Sequence, residues 1–237
     1  MPLLPSLISR ADEPELMDSG TVSPGELNAA LNFLSVTNSF LGGWSVMRQR
    51  LDIWSRGWDK TRVITMLDVG TGAADIPLRI LDWGGRRGFK IAITGIDTDA
   101  SVLDLTRAKT QGITGLTLIH ADLKAFAERG ERFDYVLGSL LLHHLPPAEL
   151  VSSLRLCDGL ATKGLLFSDL HRTAAAYAGV KALTFFAGRV SRFDGPLSVR
   201  RAFLPEELAL AAGNAGLRYL TVRREPFFRL SLAGEKS

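Results

Sequence analysis

The chain has 237 residues, enough for one core or a core with a small cap, burying about 70–75% of the unfolded surface. Its net charge of +3 comes without an interleaved basic and aromatic tract, so composition gives no ground for nucleic-acid binding. The single cysteine, Cys157, excludes an intramolecular disulfide, and no Cys/His cluster has zinc spacing, so a reducing cytoplasm and no metal are expected. The opening MPLLPSLISRADEPE has no basic leader and is broken by prolines, against a signal peptide. The longest apolar helix candidate, 173–188, is too short to span a bilayer and carries Lys181 at its middle.

Helical signals come first. Ser23 is a helix N-cap, Pro24 suits the first turn and Glu26 completes a capping box; Leu27, Ala30, Leu31 and Leu34 then recur on one helical face. After a break at TNSFLGG, Trp44, Met47, Leu51 and Trp54 predict a second amphipathic helix, and the pair is expected to lie as a lid over the sheet's ligand edge.

From residue 63, apolar strands near 63–69, 90–96, 116–121, 133–139 and 164–169 alternate with helical segments, the pattern of a parallel sheet with right-handed crossovers. VITMLDVGTGAAD, 63–75, is a strand running into a glycine-rich turn that opens a helix, where Gly70 and Gly72 let the backbone approach a ligand. A dinucleotide fingerprint would place a third glycine where Asp75 stands, and a carboxylate there suits a cationic ligand better than a pyrophosphate. The next two strands also end in acids, Asp97 and Asp122, with Asp97 where nucleoside-binding α/β folds hold the ribose hydroxyls. The segment 192–203, with Arg192, Asp194, Arg200 and Arg201, reads as a long irregular loop, either an acceptor-binding loop or a solvated connection, and Phe185 and Phe186 read as core. Pro205 starts a helix with Leu208, Ala211, Ala212 and Ala215 on one face, ended by Gly216, and two closely linked final strands predict an antiparallel pair.

Taken together, Asp68, Gly70, Gly72 and Ala74, then Asp97, Asp122 and the FDYVLGSLLLHHL segment at 133–145, resemble the class I S-adenosylmethionine-dependent methyltransferases in order and spacing, over about residues 63–232. AADIP and the HHL segment look most similar to the small-molecule branch that includes quinone-biosynthesis C-methyltransferases. The resemblance implies an α/β fold: a doubly wound, seven-stranded, mostly parallel sheet with an antiparallel last strand. An N-terminal helical lid over residues 1–60 and a cofactor domain over 61–237 would complete it. It implies S-adenosyl-L-methionine as cofactor, held by Asp68, Gly70, Gly72, Ala74, Asp75, Asp97, Asp122, Leu123 and Ser139. Asp75 would meet the amino group of the methionine moiety or cap its own helix; Asp68 would organise the glycine loop through backbone N–H groups.

Few catalytic groups are needed, because an activated methyl group calls mainly for alignment, worth on the order of 7–11 kcal/mol. His143 and His144, after the fourth strand, are the candidate bases, with one of the two expected to face the pocket and rim packing as the bland alternative. Asp169, His171 and Arg172 after the fifth strand either line the acceptor site or form an exposed turn. The expected reaction is methyl transfer to oxygen or carbon of a small, apolar or aromatic acceptor. The alternatives are a noncatalytic nucleoside-binding module, or an NAD(P)-dependent oxidoreductase, which Asp75 and the lack of a Tyr/Lys pair disfavour.

Overall fold

The computed structural model describes residues 6–236. Helix α1 (Pro24–Phe40) begins where its cap was expected: the Ser23 hydroxyl accepts the Glu26 N–H, and the Glu26 carboxylate accepts the Ser23 N–H. It runs through TNSF and breaks only at Leu41 and Gly42, where Gly42 takes a φ of +84°. Helix α2 (Gly43–Trp54) follows. Alternation then gives β1 (Val63–Val69), α3 (Asp75–Arg86), β2 (Lys90–Asp97), α4 (Ala100–Thr110), β3 (Leu116–His120), α5 (Leu123–Ala127), β4 (Phe133–Ser139) and α6 (Pro147–Leu160). The C-terminal part is β5 (Ala161–Leu170), α7 (Ala174–Leu183), α8 (Arg189–Arg201), α9 (Pro205–Asn214), β6 (Thr221–Glu225) and β7 (Arg229–Glu235).

The seven strands form one sheet in the order β3-β2-β1-β4-β5-β7-β6. Neighbours from β3 to β5 are parallel, while β7 pairs antiparallel with both β5 and β6. The strand order reverses between β1 and β4, which opens a crevice at their carboxyl ends, where doubly wound sheets bind ligands.

Each face of the sheet carries its own core. On one, Met47, Leu51 and Trp54 of α2 and Ile76, Ile80 and Trp83 of α3 pack with Trp58 over Ile64, Met66, Ile93 and Leu166. On the other, Phe126, Leu150, Leu154 and Leu208 cover Leu67, Val69, Val136, Leu165 and Leu232. The period of two in β1, with 64 and 66 on one side and 67 and 69 on the other, is what serves both layers.

Three expectations change. Helix α2 is part of a sheet-covering layer and not of a lid; its Met47, Leu51 and Trp54 pack in one cluster with Met66 and Leu166 of the sheet. The segment expected as a loop is helix α8, with Pro196 inside it. Tertiary contacts outweigh the lost N–H: Leu197 and Val199 are buried, and a Cβ on Gly195 would lie 2.8 Å from Thr184 Cγ2, so α8 needs glycine there to sit against the preceding turn. Phe185 and Phe186, expected in the core, are 62% and 94% exposed at the α7–α8 turn.

Candidate active site

The turn after β1 is built by three left-handed residues in close succession: Gly70 at φ +67°, Gly72 at +51° and Ala74 at +55°. A Cβ on Gly70 would come within 2.9 Å of Leu141 Cδ1, so only glycine leaves the loop both its dihedral and its clearance from the turn after β4. Ala74 stands just outside α3, and Asp75 is the first helical residue. Asp75 therefore makes no cap; its buried Oδ2 has no hydrogen-bond partner among the described residues. Burial pushes its carboxyl up, and Asn38, Arg79 and Arg229 pull against that shift.

Asp68 is buried one residue before the end of β1. Burial raises its carboxyl to about 7, Thr71 beside it lowers it, and the nearby Asp75 and Asp97 charges raise it further. Its Oδ1 is buried without a hydrogen-bond partner among the described residues. The glycine loop is held by Asp97 instead of Asp68: Asp97 Oδ2 accepts the Gly72 N–H at 2.8 Å, and Oδ1 accepts the Asp99 N–H at 3.0 Å. Asp122 caps α5, accepting the Ala125 N–H at 2.9 Å, with Leu123 just inside that helix. Ser139 ends β4 with a buried hydroxyl that finds no partner among the described residues.

Two connected cavities lie along this edge. One, of about 850 Å³, is lined by Val69, Gly70, Asp97, Asp122, Leu123 and His144. The other, of about 800 Å³, is lined by Leu31, Leu34 and Asn38 of α1 together with Gly70, Gly72, Asp75, Asp97, Ser139 and His144. Among the N-terminal helices it is α1 whose side chains reach this cleft. Every proposed cofactor residue except the buried Asp68 and the fully buried Ala74 lines one cavity or the other. The set fits a cationic nucleoside: unpartnered oxygens on Asp75, Ser139 and Thr71, a loop without side chains, and an acid at the end of the second strand.

The paired histidines have different surroundings. His143 is buried, with Nδ1 2.6 Å from Asp169 Oδ1, while its backbone N–H donates to Asp169 Oδ2 at 3.1 Å. His144 faces both cavities, and its Nδ1 lies 3.2 Å from Asp18 Oδ2. Burial lowers the His144 pKa, but Asp18 and Glu15 outweigh it and hold the imidazole above its usual value.

An N-terminal strap brings those acids to the histidines. Arg172 is buried, donating to the Leu7 carbonyl and pairing with both oxygens of Glu207 at 3.1 and 2.6 Å. Arg10 lies over the Phe203 ring and donates to the His143 carbonyl at 2.9 Å. Asp194 of α8 accepts the Leu16 and Met17 N–H groups, which leaves Glu15 buried and facing both imidazoles. Asp169 and Arg172 are thus neither acceptor contacts nor an exposed turn; they anchor β5, the turn after β4 and the strap, while His171 forms a bridge with Phe203. Asp194, expected in a loop, instead pins the strap from helix α8, and sequence reading missed Glu15, Asp18 and Asn38. No local pattern marks them, since each acts on a residue far along the chain.

Residues 66–164 match the model of a methyltransferase domain. No curated protein matches the chain. Among solved structures, the plantazolicin methyltransferase BpumL in complex with SAH aligns at 14% identity over 94% of both chains, with a TM-score of 0.71. Magnesium protoporphyrin IX methyltransferase from Synechocystis PCC 6803 with bound SAM aligns at 14% identity over 83% of this chain and 80% of that one, with a TM-score of 0.55. A SAM-dependent methyltransferase from Aquifex aeolicus aligns at 13% identity over 91% and 99%, with a TM-score of 0.56. These likenesses establish the fold. Within that fold, residues 66–164 are similar to a methyltransferase domain, and two of these neighbours hold SAM or SAH.

Proposed function

We propose that the chain methylates oxygen or carbon of a small, apolar or aromatic acceptor. The observation that carries this reading is the position of His144 on the lining of both cavities, beside the residues proposed for the cofactor. Leu31, Leu34, Leu140 and Leu141 give one of these cavities its apolar lining. Bound S-adenosylmethionine would supply a methyl group already activated by its sulfonium.

The chain's own residues have separate tasks. Asp97 accepts ribose hydroxyls while bracing the glycine loop, and Asp122 and Leu123 border the base. Asp75, Ser139 and the loop at Gly70 and Gly72 receive the amino-acid end. The unpartnered oxygens on Asp75 and Ser139 support this, because buried polar atoms are costly unless a ligand completes them. His144 takes the acceptor's proton where the acceptor must lose one, and His143, fixed by Asp169, positions it. The strap and α1 cap the cavity lined by these leucines and exclude water. The methyltransferases whose names mention porphyrin and plantazolicin act on small compounds, which supports an acceptor of that scale here. Among the described residues no helix is long and apolar enough to cross a membrane.

The test is transfer of isotopically labelled methyl from S-adenosylmethionine into fractionated small metabolites, with mass identification of the product. Label appearing only in protein or nucleic acid would overturn the proposed acceptor class.

A further inference from the structure

Glu15, His143 and His144 each present a ligand atom within 4.8 Å of the other two. His143 Nε2 lies 3.6 Å from Glu15 Oε1, and His144 Nε2 lies 3.9 Å from Glu15 Oε2. Both separations exceed the 2.7–3.2 Å of an N–H···O hydrogen bond. They approach the roughly 3.3 Å edge of a tetrahedron whose metal–ligand bonds are about 2.0–2.1 Å.

Nδ1 of His143 is turned to Asp169 and Nδ1 of His144 to Asp18, so each ring presents its Nε2 edge to Glu15. Two ring nitrogens and a carboxylate then converge, and among the described residues no Lys or Arg forms a salt bridge with Glu15. Glu15 is buried, and its hydrogen-bond donor among the described residues is the Ser198 hydroxyl at 2.8 Å. The nearby guanidiniums are committed elsewhere: Arg10 to the carbonyls of His143, Leu145 and Arg201, and Arg201 to those of His143, Glu13 and His144.

We infer that Glu15, His143 and His144 form a divalent transition-metal site, with Asp169 and Asp18 orienting the two imidazoles. Carboxylate-bound imidazoles joined by one carboxylate make the ligand set that zinc takes, and carboxylates behind metal-bound imidazoles set ring orientation and basicity. The side chains of Glu15 and His143 are 5% and 3% exposed and that of His144 is 33%, so the fourth position opens toward the cleft. An open fourth position is the mark of a site that also receives a ligand. The ion takes the same His144 nitrogen that the proposed proton transfer uses, so the decisive readout is binding and not turnover.

The full chain, stripped with a chelator, is titrated with Zn²⁺ against a chromophoric competitor, and with Co²⁺ for its visible ligand-field spectrum. One ion per chain is expected, with the Co²⁺ bands of a four-coordinate site. Glu15→Gln and His144→Gln should each weaken binding more than a hundredfold, and Asp18→Asn, whose side chain reaches solvent, by about 10–100-fold. Circular dichroism checks folding; if Glu15→Gln does not fold, the other two variants decide. Zn²⁺ affinity unchanged in the folded variants, or no stoichiometric ion in the wild type, overturns the site. Cofactor affinity measured on the same samples reports separately on the proposed function.

Discussion

Asp169 Oδ1 accepts the Nδ1 proton of His143 over 2.6 Å between two buried side chains. The same carboxylate accepts the N–H groups of His143 and Leu170, at 3.1 and 2.7 Å, and so ties the end of β5 to the turn after β4. Burial alone would raise the Asp169 pKa, but His143 and these bonds hold it below the usual carboxylate range. Asp169→Asn keeps the shape and removes the charge. Urea denaturation should show a loss of roughly 1.5–3 kcal/mol, the worth of a hydrogen bond to a charged group. A midpoint equal to wild type would mean that the pair does not hold the turn.

Asp97 has two duties, and one substitution tests both. Asp97→Ala frees the Gly72 and Asp99 N–H groups and removes the proposed ribose acceptor. At roughly 1.5–3 kcal/mol per charge-assisted bond, calorimetry should record cofactor binding weakened more than about tenfold. An unchanged dissociation constant would place the ribose elsewhere.

Asp68 makes cofactor affinity depend on pH. Its folded carboxyl is raised to about 7, above the unfolded value, so the folded protein keeps a proton that the unfolded chain releases. The sign follows: this group's cost to the cofactor-free protein appears as pH rises above about 4 and is complete above its folded value. A cationic ligand favours the carboxylate, so affinity for S-adenosylmethionine should rise with pH through that interval, with proton release on binding. Asp68→Asn should flatten both the stability slope and the affinity slope, as read by urea titration and calorimetry across pH. Slopes that persist in the variant would assign them to another group.

His144→Ala, measured with a chelator present, should lower turnover by about 10²–10⁴ for an acceptor that must lose a proton. Cofactor affinity should stay within a few-fold of wild type. His143→Ala should instead reduce stability together with turnover, because it leaves Asp169 buried without its imidazole. Near-normal turnover in His144→Ala would leave alignment as the whole of catalysis.

Local signals proved reliable where the physics is local. The Ser23–Glu26 box needs only neighbouring residues, and β1, buried on both faces, shows its burial as an apolar run. Gly70 and Gly72 announce a tight loop because few other residues accept those dihedrals, although Ala74 joins them at φ +55°. Such reasoning misled where packing outweighs propensity. Gly195 and Pro196 signal a loop, yet the glycine fits against Thr184 and the helix persists around the proline. Apolar content alone placed Phe185 and Phe186 inside, while the short turn between α7 and α8 holds them in solvent.

The strand and helix succession, the glycine loop and the acids at the strand ends are legible in the sequence, because periodicity, turn chemistry and position within a βαβ unit are all local. Which acids meet which histidines is set by packing between distant segments. Glu15 and Asp18 reach His143 and His144 through a strap pinned by Arg172, Arg10 and Asp194. The same holds for the division of labour between two adjacent histidines, one sealed against Asp169 and one open to the cleft. Side chains one residue apart leave the backbone in different directions, and what each one meets depends on distant segments whose approach is set by the whole core.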